Sequence, residues 1–347
     1  MEKTDVYSML PDELAEFFAN LGEPKFRAKQ VFPRLARGER ISEITTLSKK
    51  LRQELSEAVL DTVPVVELKL TSKIDGTVKY LFKLHDGACI ESVLMKYKHG
   101  NTLCISTQVG CRMGCKFCAS TIAGRERDLL PSELVGQIIA AQLDSGERVD
   151  NVVMMGIGEP LDNYDNVVKF LKLVGHPEGL NIGYRHISLS TSGVVPKILE
   201  LAELDLPITL SVSLHAATDE KRSEIMPINK KWNIGALLSA CRDYYKKTGR
   251  RISFEYTLIA GKNDTERDAE ELANLLKSYF RPIGAPIHVN LIRVNEVEET
   301  GFKAGTKDSA ARFSDMLTAR GVVATVRRRL GSDVNAACGQ LRRSAIN

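Results

Sequence analysis

The chain has 347 residues, 43% of them hydrophobic, seven cysteines and a net charge of only +4, so it can bury a large core and its total charge names no partner. It contains no apolar run near the roughly 20 residues of a bilayer span, and its acidic start, MEKTDVYSMLPDELAEF, is unlike a secretory signal. An odd cysteine count without an export signal argues against a disulfide framework; a reducing cytoplasm and no membrane are expected.

Residues 8–60 read as short helices. Pro11-Asp12-Glu13 opens one carrying Leu14, Phe17, Phe18 and Leu21 on a face, 26–35 forms a second, and Ser48 caps a third over 49–59. From 63 to 95 the pattern turns to strands. Residues 66–70 alternate strictly and 77–82 follow, with turns at Asp75-Gly76 and Asp86-Gly87, which predicts a small antiparallel sheet. Beyond residue 100, strand and helix signals alternate, with strands over 102–107, 151–155, 185–190, 208–213, 252–258 and 287–292. A helix opening at Pro131-Ser132-Glu133 should bury Leu134, Val135, Ile138 and Ile139, and a last strand lies over 322–327. Parallel neighbours need crossover helices, so six strand–helix repeats mean a parallel α/β sheet. The expected units are a helical 1–60, a β-rich 61–100, a (β/α)6 core over 101–300 and a C-terminal 301–347.

The first of these repeats runs into Gly110-Cys111-Arg112-Met113-Gly114-Cys115-Lys116-Phe117-Cys118. Three thiolates at this spacing can turn inward on one short loop. Cubane iron–sulfur clusters normally take four cysteines, so three would leave one iron open to a small molecule. Structural zinc is the alternative, but it wants four N/S ligands, and His215 and the other cysteines lie far along the chain. If the sheet is a barrel, chemistry collects at the C-terminal strand ends. The cysteine loop, Gly158-Glu159-Pro160, Ser190, Ser213-Leu214-His215 and Asn295 all fall at such ends. Gly158 would let backbone approach a ligand, and Glu159 could accept from an ammonium; a plain tight turn is the other reading of that loop. His215 reads either as a satisfied core histidine or as a cofactor neighbour. Cys241 and Cys89 read as small buried hydrophobes, and Cys104 as a core thiol. Cys338 differs, standing among small residues at a glycine-bounded turn. Glu91 reads as a solvated strand carboxylate. Basic pairs and runs at Lys96/Lys98, Arg125/Arg127, Lys230/Lys231, Arg250/Arg251, Arg327/Arg328/Arg329 and Arg342/Arg343 suggest a polyanionic substrate.

The Cx3Cx2C loop resembles the signature of the radical S-adenosylmethionine (SAM) enzymes. That resemblance implies a partial (β/α)6 radical-SAM barrel with a small N-terminal helical accessory domain and a short β extension. It also implies a [4Fe-4S] cluster on Cys111, Cys115 and Cys118, whose open iron chelates SAM; electron transfer then cleaves SAM to a 5′-deoxyadenosyl radical. In the family's terms Gly158-Glu159 would hold the amino group of SAM, Ser190 and Ser213 its ribose and carboxylate, and Asn295 its adenine end. Leu214 and His215 belong to the same cofactor-binding element, and Phe117 would flank the adenine.

Longer stretches narrow the likeness. LCISTQVGCRMGCKFCAS, MMGIGEPLDN, HISLSTSGVVP, SLHAATDEKRSEIMPIN, GRRISFEYTLIAGKND, HVNLIRVN and AACGQL follow in this order. They resemble the RlmN-type dual-specificity RNA methyltransferases, which methylate C2 of adenosine. The resemblance implies that one SAM methylates Cys338 and a second is cleaved, two per turnover. The methyl-derived radical then adds to C2, Cys104 resolves the crosslink by forming a disulfide with Cys338, and Glu91 accepts a proton. Implied partners are unassembled 23S rRNA at adenine 2503, tRNAs at adenine 37, and an electron donor such as flavodoxin or ferredoxin, with the enzyme acting as a monomer. The sister Cfr-type enzymes methylate C8 of the same rRNA adenine. Met95-Lys96-Tyr97-Lys98 resembles them, whereas Gly158-Glu159-Pro160, the stretch 183–187 and Trp232 resemble RlmN, and the resemblance favours C2.

Overall fold

The computed structural model describes residues 3–336 together with 339 and 340. The N-terminal helices are α1 (Pro11–Asn20), α2 (Arg27–Leu35) and α3 (Lys49–Ala58). Ser48 caps α3, its hydroxyl accepting from the Leu51 N–H at 3.2 Å. Leu14 and Phe18 are buried beneath α1, but Leu21 is 50% exposed. It falls at the C-cap, where the chain has already left the helical stripe. The helices dock on the barrel through α1's Glu13, paired with Lys169 at 2.8 Å, and through the turn before it.

Next come the strands β1 (Val65–Thr71), β2 (Val78–Lys83), β3 (Cys89–Tyr97) and β4 (Gly100–Cys104), which pair antiparallel in sequence order. A two-stranded ribbon, β5 (Gln108–Gly110) with β6 (Arg125–Asp128), leads into α4 (Pro131–Ser145). The remaining elements are β7 (Asn151–Met154), α5 (Tyr164–Gly175), β8 (Ile187–Thr191), α6 (Val195–Glu203), β9 (Thr209–Ser213), α7 (Asp219–Ile225) and α8 (Ile234–Thr248). They continue with β10 (Ile252–Leu258), α9 (Glu266–Phe280), β11 (His288–Arg293), α10 (Lys307–Ala319) and β12 (Val323–Val326).

One ten-stranded sheet runs β1-β2-β3-β4-β7-β8-β9-β10-β11-β12, parallel from β4 onward. β1 and β12 are its two edges, so the barrel is partial. β1–β3 therefore extend the barrel sheet instead of forming a sheet of their own. The strict alternation of 66–70 does not reflect one buried face: Leu68 and Leu70 are both exposed on the edge strand. The central strands behave as parallel strands covered on both sides should, and all seven residues of β10 are buried. α4 buries Leu134, Val135, Ile138 and Ile139 as its periodicity requires. Its N-terminal turn is held from outside, because Ser8 Oγ accepts the Ser132 N–H at 2.9 Å and Asp5 accepts the Ser132 hydroxyl at 2.7 Å. Cys241 is fully buried on α8 as expected, whereas Cys89, at the mouth of the β2–β3 turn, is only half-buried.

Candidate active site: a three-cysteine cleft opening onto a basic groove

The cysteine loop does not follow directly on β4. It is the connection between β5 and β6, raised above the strand ends on that ribbon. Gly110, at φ +76°, makes this possible, since a Cβ there would lie 1.8 Å from the Gly124 carbonyl oxygen. Cys111 N–H then donates to Gly124 O at 3.1 Å, and Cys118 N–H turns back to Cys115 O at 3.1 Å. The loop is fixed on both flanks. Lys116 N–H donates to Ile225 O at 2.9 Å at the end of α7, and Ala119 N–H donates to Gly339 O at 2.8 Å.

A second set of bonds ties the loop to the turn after β7. Fully buried Gln108 accepts the Glu159 N–H at 2.9 Å and donates to Asp128 at 2.7 Å and Asp162 at 3.0 Å. Arg112 grips Asp162 through two nitrogens, at 2.9 and 2.5 Å. Gly158 lies against this junction at φ +107°, where a Cβ would come within 2.7 Å of both Thr107 Oγ1 and Gln108 Cβ. Gly158→Ala should therefore push the two loops apart. The expected result is a loss of about 1–3 kcal/mol in unfolding stability together with weakened SAM binding, read by thermal unfolding and equilibrium titration.

Between the loops lies a cleft of about 920 Å³, measured out to open solvent. Cys111, Cys115, Cys118, Phe117, Gly158, Glu159, Ser190, Ser213, His215 and Asn295 all line it. Of the cofactor residues expected from sequence, only Leu214 does not; its side chain is in the core and its carbonyl accepts from Arg222 at 3.1 Å. Glu159 is buried, with one carboxylate oxygen accepting from Leu161 N–H at 3.0 Å and the other from Ser192 N–H at 2.6 Å. Burial raises its pKa, opposed by the hydrogen bonds from Ser192, Thr191 and Leu161.

His215 is both a satisfied core residue and a cleft residue. Its Nδ1 accepts the Thr257 N–H at 2.9 Å, which leaves Nε2 as the protonated nitrogen, and its ring meets Phe117 edge-on at 5.0 Å. Burial, and secondarily Arg222, pushes its pKa down to about 3, so it stays neutral. Its backbone sits in the left-handed region at φ +57°, a conformation that non-glycine residues rarely adopt and that clusters at functional sites.

The donor set suits an iron–sulfur cluster. Burial, then repulsion from Cys118 and the neighbouring acids, pushes Cys111 up to about 12, and burial with both other thiols raises Cys115 well above the usual range. As bare thiols they hold their protons; only a strongly cationic group bound to them would take them as thiolates. Among the described residues no three side chains converge on a single metal ion, whereas a cubane receives each thiolate on a different iron.

The cleft opens into a larger groove of about 1570 Å³, sharing Met155, Ile292, Asn295 and Arg327 with it. Arg293, Lys307, Arg328 and Arg329 add positive charge, and Cys104 lies in its wall. Cys104 is buried in an apolar cluster with Val93, Met95, Ile157 and Ala336. The C-terminal segment is strapped across β1–β3 beside it. Asp333 accepts from Ser72 Oγ at 2.7 Å and Lys73 N–H at 2.9 Å, and Gly331 N–H donates to Asp75 at 3.0 Å. Cys338 and Arg342/Arg343 lie outside the described residues. No disulfide joins two described cysteines; the bond expected between Cys104 and Cys338 involves one residue outside that set.

Glu91 is not a solvated carboxylate. It is 5% exposed and ion-paired with Lys79 at 2.7 Å, and Lys79 also donates to Asn335 O at 3.3 Å. The β3–β4 register sets Val93 opposite Cys104, so Glu91, two residues along, shares their face of the sheet. Several basic runs expected to meet a polyanion are neutralised within the protein. Lys96 pairs with Glu147, Arg125 with Asp128, and Arg127 with Asp86 and, through two nitrogens, with buried Glu133. The sequence reading missed Glu255, a buried carboxylate lining the cleft and held by Asn290 at 2.7 Å. A lone acid in the apolar run ISFEYTL was its signal.

A partial parallel barrel with three cysteines beside a glycine–glutamate turn defines a radical SAM enzyme. The model of the radical SAM superfamily matches residues 105–276, and that of the ribosomal RNA large subunit methyltransferase N-terminal domain matches 4–60. The chain is 53% identical over 347 residues to a protein of Alkaliphilus oremlandii named "Probable dual-specificity RNA methyltransferase RlmN", covering 100% of this chain and 99% of the relative. A Clostridium botulinum protein of the same name is 53% identical over 336 residues, covering 96% of this chain and 95% of its own. The crystal structure of a radical SAM methyltransferase from Sphaerobacter thermophilus superposes with a TM-score of 0.93 at 41% identity, covering 98% of this chain and 100% of that one. The chain belongs to the RlmN family of radical SAM RNA methyltransferases, which work with a [4Fe-4S] cluster and SAM. The C8-directed alternative is not favoured by these relatives.

Proposed function

We propose that the protein methylates C2 of adenine, at position 2503 of 23S rRNA before assembly and at position 37 of tRNAs, by way of a methyl group carried on Cys338. The supporting observation is that the three-cysteine cleft and the Cys104 groove adjoin, sharing Met155, Ile292, Asn295 and Arg327 as lining residues. C2 of adenine is neither nucleophilic nor acidic, so polar methyl transfer has no electron pair to use. Bound at Cys111, Cys115 and Cys118, the cluster with SAM supplies the methyl group and the radical chemistry. Gly158, Glu159, Ser190, Ser213, His215 and Asn295 orient SAM against it. Ala336 lies beside Cys104 and Gly339 lines the three-cysteine cleft, so the described neighbours of Cys338 bracket the two spaces. From the thioether that joins Cys338 to C2, the C2 proton passes to Glu91, whose charge is held beside Lys79. Cys104 attacks the Cys338 sulfur: an S–S bond forms as the sulfur–methylene bond breaks, and the electron pair left on the methylene carbon takes up a proton to give the methyl group.

A target adenine must leave its stack to enter the groove, at a cost of a few kcal/mol. Contacts of Arg293, Lys307 and Arg327–329 with phosphates offset this. No helix among the described residues is long and apolar enough to cross a membrane. We place the enzyme in the cytoplasm as a monomer fed by a low-potential flavodoxin or ferredoxin, with units at 1–60, 61–100, 101–300 and 301–347. The test is anaerobic incubation of reconstituted protein with SAM, reductant and protein-free 23S rRNA or tRNA, followed by nucleoside mass spectrometry. 2-Methyladenosine is expected; 8-methyladenosine would replace this reading with the C8 one.

A further inference from the structure

α7 carries Arg222, which is completely buried. Arginine is almost never fully buried unless it is paired. Here every hydrogen-bond partner is neutral. Nε donates to Leu214 O at 3.1 Å, Nη1 to Asn229 Oδ1 at 2.9 Å, and Nη2 to Ser192 O at 2.7 Å and Ser213 O at 3.0 Å. No ion pair among the described residues includes Arg222; a chain of hydrogen bonds through the Asn229 amide links it to Asp219. The charge is hydrogen-bonded but not neutralised, an arrangement that costs stability unless an anion resides nearby.

The neighbours identify where that anion belongs. Arg222 stands on the short helix whose C-terminal end meets the three-cysteine loop. The carbonyls it holds belong to the ends of β8 and β9, whose Ser190, Ser192 and Ser213 line the cleft. The residues after it, Ile225 and Met226, meet the cysteine loop: Ile225 O accepts from Lys116, and Met226 packs with Cys115 and Phe117.

We propose that Arg222 is a built-in counter-charge for the cluster and a positioning residue for SAM. Its fixed cation, buried behind the cysteine loop, offsets the negative charge that the cluster and its thiolates bring. The electron added on reduction is stabilised by the same cation, so the reduction potential is held up. Meanwhile the guanidinium fork keeps the two serine-bearing strand ends in register. Both roles rest on the reading of the cleft as the cluster and SAM site.

The test separates charge from shape. Wild type, Arg222→Lys and Arg222→Gln are reconstituted anaerobically, assayed for iron and sulfide, and titrated by EPR for the cluster midpoint potential. Arg222→Gln is expected to shift the midpoint to more negative potential, and Arg222→Lys, which keeps the charge, to leave it in place. SAM affinity should fall in both by about tenfold, because neither substitute reproduces the fork. Asn229→Asp keeps an oxygen for the guanidinium, gives up the amide's donations to Asp219 and Ser223, and adds a negative charge beside Arg222. It should shift the midpoint in the same direction as Arg222→Gln and decides the matter should the glutamine variant not fold. A midpoint unmoved in both charge-altering variants would overturn the counter-charge. A wild-type chain that binds no cluster would instead overturn the reading of the cleft itself, and the proposal with it.

Discussion

Cys104→Ala should turn the enzyme into a trap for its own RNA. Cys104 sits in the wall of the basic groove, packed with Val93, Met95, Ile157 and Ala336, so the missing sulfur leaves a small apolar gap and the site keeps its shape. Losing the sulfur at a buried position costs little beyond this packing. On the proposed scheme, what is lost is the nucleophile that frees adenine from the Cys338 sulfur. The expected product is a covalent protein–RNA adduct, with turnover limited to about one event per chain, since a covalent intermediate without its resolving group persists. Denaturing electrophoresis of the reaction with 23S rRNA reads it directly. Multiple turnovers with no adduct would show that Cys104 is only a core thiol.

Removing the carrier itself should have an equally large effect. Cys338→Ala is expected to abolish methylated adenosine, a drop on the order of 1,000-fold or more, because on the proposed scheme the methyl group travels on that sulfur. The readout is nucleoside mass spectrometry alongside the wild type, with iron and sulfide content measured in both. The variant should retain its cluster, since the proposed ligands Cys111, Cys115 and Cys118 are unchanged. Methylation at the wild-type rate would mean direct transfer from SAM.

The sequence made the centre of the site legible and its supports illegible, for physical reasons. Thiol spacing on a short loop is fixed by covalent geometry, so Cys111, Cys115 and Cys118 could be placed together without any knowledge of the fold. The strand ends carrying Ser190, Ser213 and Asn295 followed from the βα alternation, because a parallel sheet brings successive strand ends to one side. Arg222 was hidden because DEKRSEI has the composition of a solvated helix, and nothing local reveals that one of its charges turns inward. Glu91 was misread for a related reason. A strand covered on both faces has no polar side, so the position of its carboxylate in the alternation says nothing about solvent. The basic runs erred the other way: Arg127 looked available, but its partners Asp86 and Glu133 stand on other elements. Leu21 and Cys89 show that element ends are where pattern and burial part company.

The most direct test of the whole account is the metal and cofactor chemistry of the purified chain. Protein isolated or reconstituted without oxygen should contain about four irons and four sulfides per chain. On reduction it should convert SAM to 5′-deoxyadenosine, and replacing Cys115 by Ala should remove both properties. Zinc in place of iron, or a cluster that never cleaves SAM, would contradict the account.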